Sequence, residues 1–323
     1  MTRFATIGSN FVTDSFLEAA QGVEGFQLEG VYSRTRARAE EFAAKWDAPR
    51  TYTSLDALCA DPVIEAVYVA SPNACHEAQA IALLKAGKHV LCEKPIAPDS
   101  AALARMARAA RETGRVLMEA MMPAHTPAYR AIRAAMAQIA PVRRATLRFC
   151  KYSSRYDKFK AGIVENAFDP SLANGALMDI GVYCLHAAQL LLGEPQTVAG
   201  KSVFLPGGID GAGSLVLGYD GALAEIVYSK ITDSVSPSEI EGEGGSILID
   251  AVSRPRRAEL VLRGGARREI PLGVEADEMR YEIEDFLALL RGADGARYLA
   301  DSEAVTRTLD RARAGMGVEF RRR

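Results

Sequence analysis

The sequence predicts an α/β protein in which a doubly wound parallel sheet is followed by a C-terminal α+β domain with a large, mostly antiparallel open sheet. Three observations carry that reading. Through the first third of the chain, short apolar runs alternate with amphipathic ones, the pattern of βαβ units. Past Met121 the pattern changes to longer strand-like stretches separated by turn pairs such as Asp220-Gly221 and Gly244-Gly245, which is hairpin chemistry. A length of 323 residues also exceeds what one hydrophobic core usually serves, so two domains are expected, over 1–122 and 123–323.

The elements follow in order. In the first domain strands are expected over 4–7, 28–33, 66–70, 88–92 and 116–121, with helices over 11–21, 35–46, 75–86 and 99–113. A continuous run such as Ala66-Val67-Tyr68-Val69-Ala70 suits a strand covered on both faces, as a parallel sheet requires. Residues 123–127 read as a linker and 128–138 as one more helix. Beyond it, strands are expected over 144–152, 196–204, 214–219, 222–230, 238–243, 246–250, 258–263 and 267–271, with a helix over 174–192. Gly292-Ala293-Asp294-Gly295 reads as a surface loop before a final helix.

Composition excludes several classes of function. Apolar content of 49% and charged content of 25% belong to an ordinary soluble globular protein with a sizeable core. A net charge of -2 supplies no field for nucleic acid or an anionic membrane, so neither is expected as a partner. Arg321-Arg322-Arg323 is locally basic and reads as a solvated end. The five cysteines form no CxxC pair and are odd in number. With no export signal ahead of them, they read as free thiols in a reducing cytoplasm. No apolar run approaches a membrane span, and four scattered histidines without i, i+4 pairing give no metal site.

The first strand runs straight into Gly8-Ser9-Asn10-Phe11-Val12-Thr13, where a dinucleotide fingerprint would read G-x-G-x-x-G. Only the first glycine is present. Asparagine tolerates a left-handed backbone, so Asn10 can stand in for the second, and Thr13 would hold the helix slightly further from the strand. Gly8, Ser9, Asn10 and Phe11 are then the phosphate-binding turn; a plain strand-to-helix turn is the competing reading. At the tip of the second strand, Ser33 and Arg34, with Arg38 just beyond, suit a 2′-phosphate, because guanidinium pairs with phosphate bidentately. Glu29 falls inside the strand instead of at its tip, so NADP is preferred over NAD. Arg36 and Arg38 also read as exposed helix charges.

Gly87-Lys88-His89-Val90-Leu91-Cys92-Glu93-Lys94-Pro95 reads as a turn, a short buried strand and then a carboxylate, an amine and a proline where that strand ends. Ligands bind beyond the carboxyl ends of strands in open parallel sheets, which directs Glu93 and Lys94 to the cleft. Ser71-Pro72-Asn73 would make an extended turn in which Asn73 caps the next helix. Within the helix expected over 174–192, Asp179, Tyr183 and His186 lie on one side at spacings of four and three. Hydride transfer at a carbon bearing oxygen needs a proton donor or acceptor on that oxygen. A phenol does this at neutral pH only with a cation nearby, and Lys94 supplies one. Packing alone could also explain the three polar residues, and His186 in particular reads as a hydrogen-bonded structural histidine.

The combination of Gly8-x-Asn10, Ser71-Pro72-Asn73-x-x-His76, Glu93-Lys94-Pro95 and Gly175-Ala176-Leu177-Met178-Asp179-Ile180-Gly181-Val182-Tyr183 resembles the Gfo/Idh/MocA oxidoreductases across essentially the whole chain. The resemblance implies a Rossmann domain and a second domain whose open sheet face carries subunit contacts, in a homodimer or homotetramer. It also implies cofactor contacts from Ser71, Pro72, Asn73 and His76, and a catalytic Lys94 against the nicotinamide with a cis bond to Pro95. In the family the position of Tyr183 is tyrosine or histidine and serves as the acid/base; Asp179 matches the aspartate that assists. Arg155 and Tyr156, in the polar stretch 152–160, are the further candidates for substrate contact alongside Lys94, Asp179, Tyr183 and His186, although an exposed loop is the competing reading. The expected protein is an NAD(P)-dependent dehydrogenase or reductase acting on CH-OH groups of a sugar, cyclitol or related polyol, with the active site in the cleft between the domains. The alternative is a dinucleotide-sensing regulatory protein of the same fold, against which the intact lysine, aspartate and tyrosine argue.

Overall fold

The computed structural model describes residues 1–320, so the terminal arginines Arg321, Arg322 and Arg323 lie outside the described residues. The chain divides into two compact units, one of Met1–His125 with Ala276–Glu303 and one of Thr126–Glu275 with the chain from Ala304 onward.

The first unit runs β1 (Thr2–Ile7), α1 (Phe11–Ala20), β2 (Phe26–Tyr32), α2 (Arg36–Trp46), β3 (Arg50–Tyr52), α3 (Leu55–Ala60), β4 (Ala66–Val69), α4 (Asn73–Lys85), β5 (His89–Glu93), α5 (Ser100–Thr113) and β6 (Leu117–Ala120). All six strands are parallel, in the order β3-β2-β1-β4-β5-β6. The order reverses between β1 and β4, and it is at such a switch point that doubly wound sheets bind ligands. Alternate residues of each central strand feed two separate cores. Ala5, Ile7, Val67, Val69, Val90 and Cys92 join one, while Phe4, Ala66, Tyr68 and Leu91 join the other, which accounts for the uninterrupted apolar runs. The sequence reading contained neither β3 nor α3, because a three-residue strand is too short to show any period.

The expected linker over 123–127 is instead largely helical: α6 (Met122–His125) is followed at once by α7 (Pro127–Ala135), which takes its proline in the first turn. The second unit continues with β7 (Val142–Cys150), α8 (Tyr156–Lys160), a π-helical turn over Leu177–Gly181 and α9 (Val182–Leu192). Then come β8 (Thr197–Phe204), β9 (Asp210–Tyr219), β10 (Ala222–Ser229), β11 (Ser238–Gly242), β12 (Gly245–Ile249), β13 (Ala258–Leu262) and β14 (Arg267–Glu269). They form an eight-stranded sheet in the order β14-β13-β12-β11-β7-β10-β9-β8, in which β7 and β10 are the single parallel pair. The π-helical turn and α9 pack on β7 and β10, where Ala224, Ile226 and Tyr228 point inward and are buried. On the opposite face Leu223, Val216 and Val203 are exposed.

The chain then returns through α10 (Met279–Leu290) and α11 (Ala296–Met316). The division into 1–122 and 123–323 therefore differs from the structure, which assigns 276–303 to the first unit. Ile283, Phe286 and Leu287 of α10 form an i, i+3, i+4 stripe that enters the core of the first unit, with the Phe286 ring 5.9 Å from that of Phe4. All five cysteines are free thiols. Among the described residues, no helix is long and apolar enough to cross a membrane, and no group of three or more His, Cys, Asp or Glu is placed to hold a metal ion.

Candidate active site

In the first unit the turn after β1 is shaped by close approach of main chain. Gly8 has φ +113°, and a Cβ at this position would lie 2.5 Å from the Ala70 carbonyl oxygen at the end of β4. A side chain here would force β1 and β4 apart at the switch point. Asn10 differs from expectation: its φ of -111° is extended, not left-handed. It acts through its side chain, accepting from the amides of Val12 at 2.9 Å and Thr13 at 3.4 Å and donating to Ala70 O at 3.2 Å. It thus caps α1 and fastens it to β4, while Phe11 stands exposed on the first turn. A glycine cradle at a helix N-terminus suits a dinucleotide pyrophosphate.

Arg38 reaches from α2 back to this turn. Its Nε donates to Ser9 Oγ at 3.0 Å and its Nη2 to Ser9 O at 2.5 Å, with Glu41 2.8 Å from Nη1. Ser9 and Arg38, 29 positions apart in sequence, are thereby joined, with Ser33 and Arg34 at the tip of β2. Glu29 is buried within β2 and accepts from Arg50 at 2.5 Å, so its carboxylate is committed to the β2–β3 edge. A guanidinium beside a serine, with the nearest acid, Glu41, paired to that guanidinium, suits a 2′-phosphate.

At the carboxyl end of β5, the Lys94-Pro95 peptide is cis. Glu93 accepts from the Tyr68 hydroxyl at 2.5 Å and from the Lys94 amide at 3.2 Å. His76 is fully buried, and its two ring nitrogens lie 3.0 Å from Pro95 O and 2.9 Å from Ser71 O. It therefore lies between the Ser71-Pro72 turn and the loop after Lys94, and burial lowers its pKa. Asn73 differs from expectation as well. It is the first residue of α4, Pro72 precedes it as the cap residue, and no side-chain capping bond forms there. Ser71 Oγ donates to Gln79 at 2.6 Å.

Glu282 of α10 was missed by the sequence reading, since nothing marks it apart from ordinary helix charge. It is 0% exposed, and neither of its carboxylate oxygens has a hydrogen-bond partner among the described residues. Burial, and then the charge of Glu93, push its pKa well up, and Glu93 is itself raised by burial. A folded-state pKa above the unfolded value of about 4.3 contributes stability at low pH that is lost as pH rises toward the folded value. Glu282→Gln, which cannot ionise, is therefore expected to melt above the wild type by a margin that grows from pH 5 to pH 9. Thermal unfolding across that range checks it; a margin independent of pH would refute the assignment.

In the second unit the candidate residues sit on the π-helical turn and α9. Such turns recur at functional sites. Asp210 of β9 holds the start of the turn, accepting from the Leu177 amide at 2.7 Å, and burial raises its pKa to about 6. Gly175, at φ +138°, leaves the space that Asp210 fills: a Cβ there would lie 1.9 Å from Asp210 Oδ1. Asp179 Oδ2 lies 2.7 Å from Nζ of the buried Lys230. Tyr183 packs edge-on against Phe149 with ring centroids 5.5 Å apart, and His186 is buried on α9. Arg155 lies 3.7 Å from Glu165, and Tyr156 begins the short helix α8, where an exposed loop was the competing reading. The Tyr156 ring lies 5.8 Å from that of buried Phe168, within a small satellite core. Lys230 and Asp210 escaped the reading because each is a lone charge at the end of an otherwise ordinary strand.

Comparison with known proteins follows the same division. A family model described as "Oxidoreductase family, NAD-binding Rossmann fold" matches residues 2–121, and one described as "GFO/IDH/MocA C-terminal domain" matches residues 131–248. The chain is 46% identical over 291 residues to an NADP(+)-dependent scyllo-inositol 2-dehydrogenase of Bacillus subtilis, covering 90% of this chain and 89% of that protein. It is 30% identical over 340 residues to the mouse trans-1,2-dihydrobenzene-1,2-diol dehydrogenase, covering 98% of each. A solved 3-ketoreductase from Actinomadura kijaniata, in complex with NADP and TDP-benzene, shares the fold with a TM-score of 0.88 at 23% identity over 98% of each chain.

Proposed function

Because the chain belongs to the GFO/IDH/MocA oxidoreductase family, and is an NAD(P)-dependent oxidoreductase, we propose that it moves a hydride between NADP and one hydroxyl-bearing carbon of a cyclitol, sugar or related polyol. The observation that carries this reading is the 46% identity with an NADP(+)-dependent scyllo-inositol dehydrogenase over nine-tenths of the chain, joined to the Ser9–Arg38 corner. When bound, the nicotinamide supplies or takes the hydride. Gly8, Ser9, Asn10 and Phe11 hold the pyrophosphate at the start of α1, and Ser33, Arg34 and Arg38 hold the 2′-phosphate. Ser71, Pro72, Asn73 and Glu93 line the remainder of that site, with His76 supporting it.

In this proposal the Tyr183 phenolate oxygen takes the substrate's hydroxyl proton during oxidation, and the phenol so formed returns it during reduction. The Lys94 ammonium favours the phenolate and orients the substrate oxygen. Asp179, paired with Lys230, accepts a hydrogen bond from the substrate, and Arg155, Tyr156 and His186 complete the contacts. A homodimer or homotetramer built on the open face of the eight-stranded sheet, where Val203, Val216 and Leu223 are exposed, is the proposed assembly, and the cytoplasm its compartment.

A panel of cyclitols, aldoses and diols with NADP and NAD, followed at the nicotinamide absorbance, tests the function. Reduction of NADP by at least one cyclitol is expected; bound cofactor with no turnover on any member would defeat the reading. Arg38→Ala is expected to weaken NADPH binding about 10- to 100-fold, the worth of a charge-assisted hydrogen bond, and to leave NADH nearly unchanged. Fluorescence titration with both cofactors reads this directly, and equal losses for the two would remove Arg38 from the 2′-phosphate site.

A further inference from the structure

We propose that Lys230 is a positioning residue of the reaction, fixing the Asp179 carboxylate and the segment ending at Phe168 in one arrangement; the inference rests on the reading of Asp179 above. Lys230 directly follows β10, and its side chain is 4% exposed. Its ammonium has three N–H donors, and three partners surround it. Asp179 Oδ2 lies at 2.7 Å, the Ala167 carbonyl oxygen accepts at 2.8 Å, and the centroid of the Phe168 ring is 4.6 Å away. The lysine's main chain is held on both sides, its amide donating to Gly211 O at 2.9 Å and its carbonyl accepting from Ser153 N at 2.8 Å.

With its donors directed to these groups, Lys230 acts through Asp179 and not on substrate. Its partners belong to the two parts of the second unit to which substrate contact is assigned. Asp179 stands on the π-helical turn whose start Asp210 secures. Ala167 and Phe168 close the segment that begins with Arg155 and Tyr156, and the Phe168 and Tyr156 rings share its satellite core. Folding alone does not call for a lysine at this place. A buried ammonium is costly to desolvate, and replacing a buried ion pair by apolar residues of similar volume is often neutral or stabilising. The feature a hydrocarbon cannot supply is a fixed cation beside the carboxylate.

The test is a double-mutant cycle on turnover and on NADPH affinity, with Lys230→Met, Asp179→Asn and the pair. Lys230→Met is expected to lower kcat about 10- to 100-fold, the scale of a misplaced reacting group, and to raise KM for substrate while NADPH binds as in the wild type. In the Asp179→Asn background the same change should cost less than about threefold, because its target is already gone. Lys230→Arg, which keeps the charge, should recover part of the loss. If Lys230→Met does not fold, Lys230→Gln takes its place in the cycle, keeping a donor for Ala167 O without the charge. Wild-type kcat in the uncharged variant, or penalties that multiply in the pair, would overturn the inference while a slow Asp179→Asn left the reading of Asp179 standing. An Asp179→Asn enzyme as fast as the wild type would overturn both.

Discussion

Lys94→Ala is expected to lower kcat by about a thousandfold while NADPH affinity stays within a few-fold of the wild type. The expectation follows from what the residue carries and where it is held. Lys94 follows directly on β5, at the carboxyl edge of a parallel sheet, and the structure braces its surroundings from two sides. Glu93 accepts from its amide, and the buried His76 ring lies between Pro95 O and Ser71 O, donating to one of them. The main chain that presents the amine is thus set by groups that alanine leaves in place, so the loss should fall on chemistry and not on folding. A phenol with an unperturbed pKa of about 10 accepts a proton poorly at pH 7, and in the mechanism proposed above the Lys94 ammonium is the cation that makes up for this, which alanine would remove. Lys94→Arg separates charge from shape: partial activity is expected, since the planar guanidinium keeps the charge and lacks the compact ammonium. Stopped-flow or steady-state turnover, with NADPH titration alongside, checks both variants.

Tyr183→Phe is expected to cost about 100- to 10,000-fold in kcat, the range for loss of a positioned general acid or base. The substitution removes one oxygen and keeps the ring. The edge-to-face packing on Phe149, with centroids 5.5 Å apart and planes at 70°, should survive, and with it the melting temperature. KM should change little, because the lost interaction strengthens only as the proton moves. A variant that keeps wild-type turnover would take Tyr183 out of the mechanism, whereas one that loses turnover together with its fold would mark the hydroxyl as structural.

The parallel sheet was legible because burial on both faces writes itself into the chain as unbroken apolar runs. Ala66-Val67-Tyr68-Val69 could hardly be read otherwise, and the structure sends its residues alternately to two cores. The cis bond before Pro95 and the glycine at position 8 were legible from the motifs around them. Features set by distant partners were not. Asn10 works as a side-chain cap with an extended backbone because Ala70 O, 60 positions away, is there to receive its amide. Asn73 and Pro72 share a helix start that propensity alone would assign to asparagine. The stripe Ile283, Phe286 and Leu287 belongs to a core built by residues between Phe4 and Ala120, which no local pattern reveals. Lys230 and Asp210 become informative only when β9 and β10 are brought beside the π-helical turn, where one lysine and one aspartate secure the carboxylate and the helix start that the motif around Asp179 had already marked.

The central claim is that Lys94 and Tyr183 serve one proton-coupled hydride transfer. Its most direct test is turnover of the Lys94→Ala/Tyr183→Phe double variant beside each single variant, on a cyclitol that the wild-type protein oxidises with NADP. Groups acting in one step are strongly non-additive, so the double variant should be no more than a few-fold slower than the slower single variant. Penalties that multiply, or a single variant indistinguishable from the wild type, would contradict it.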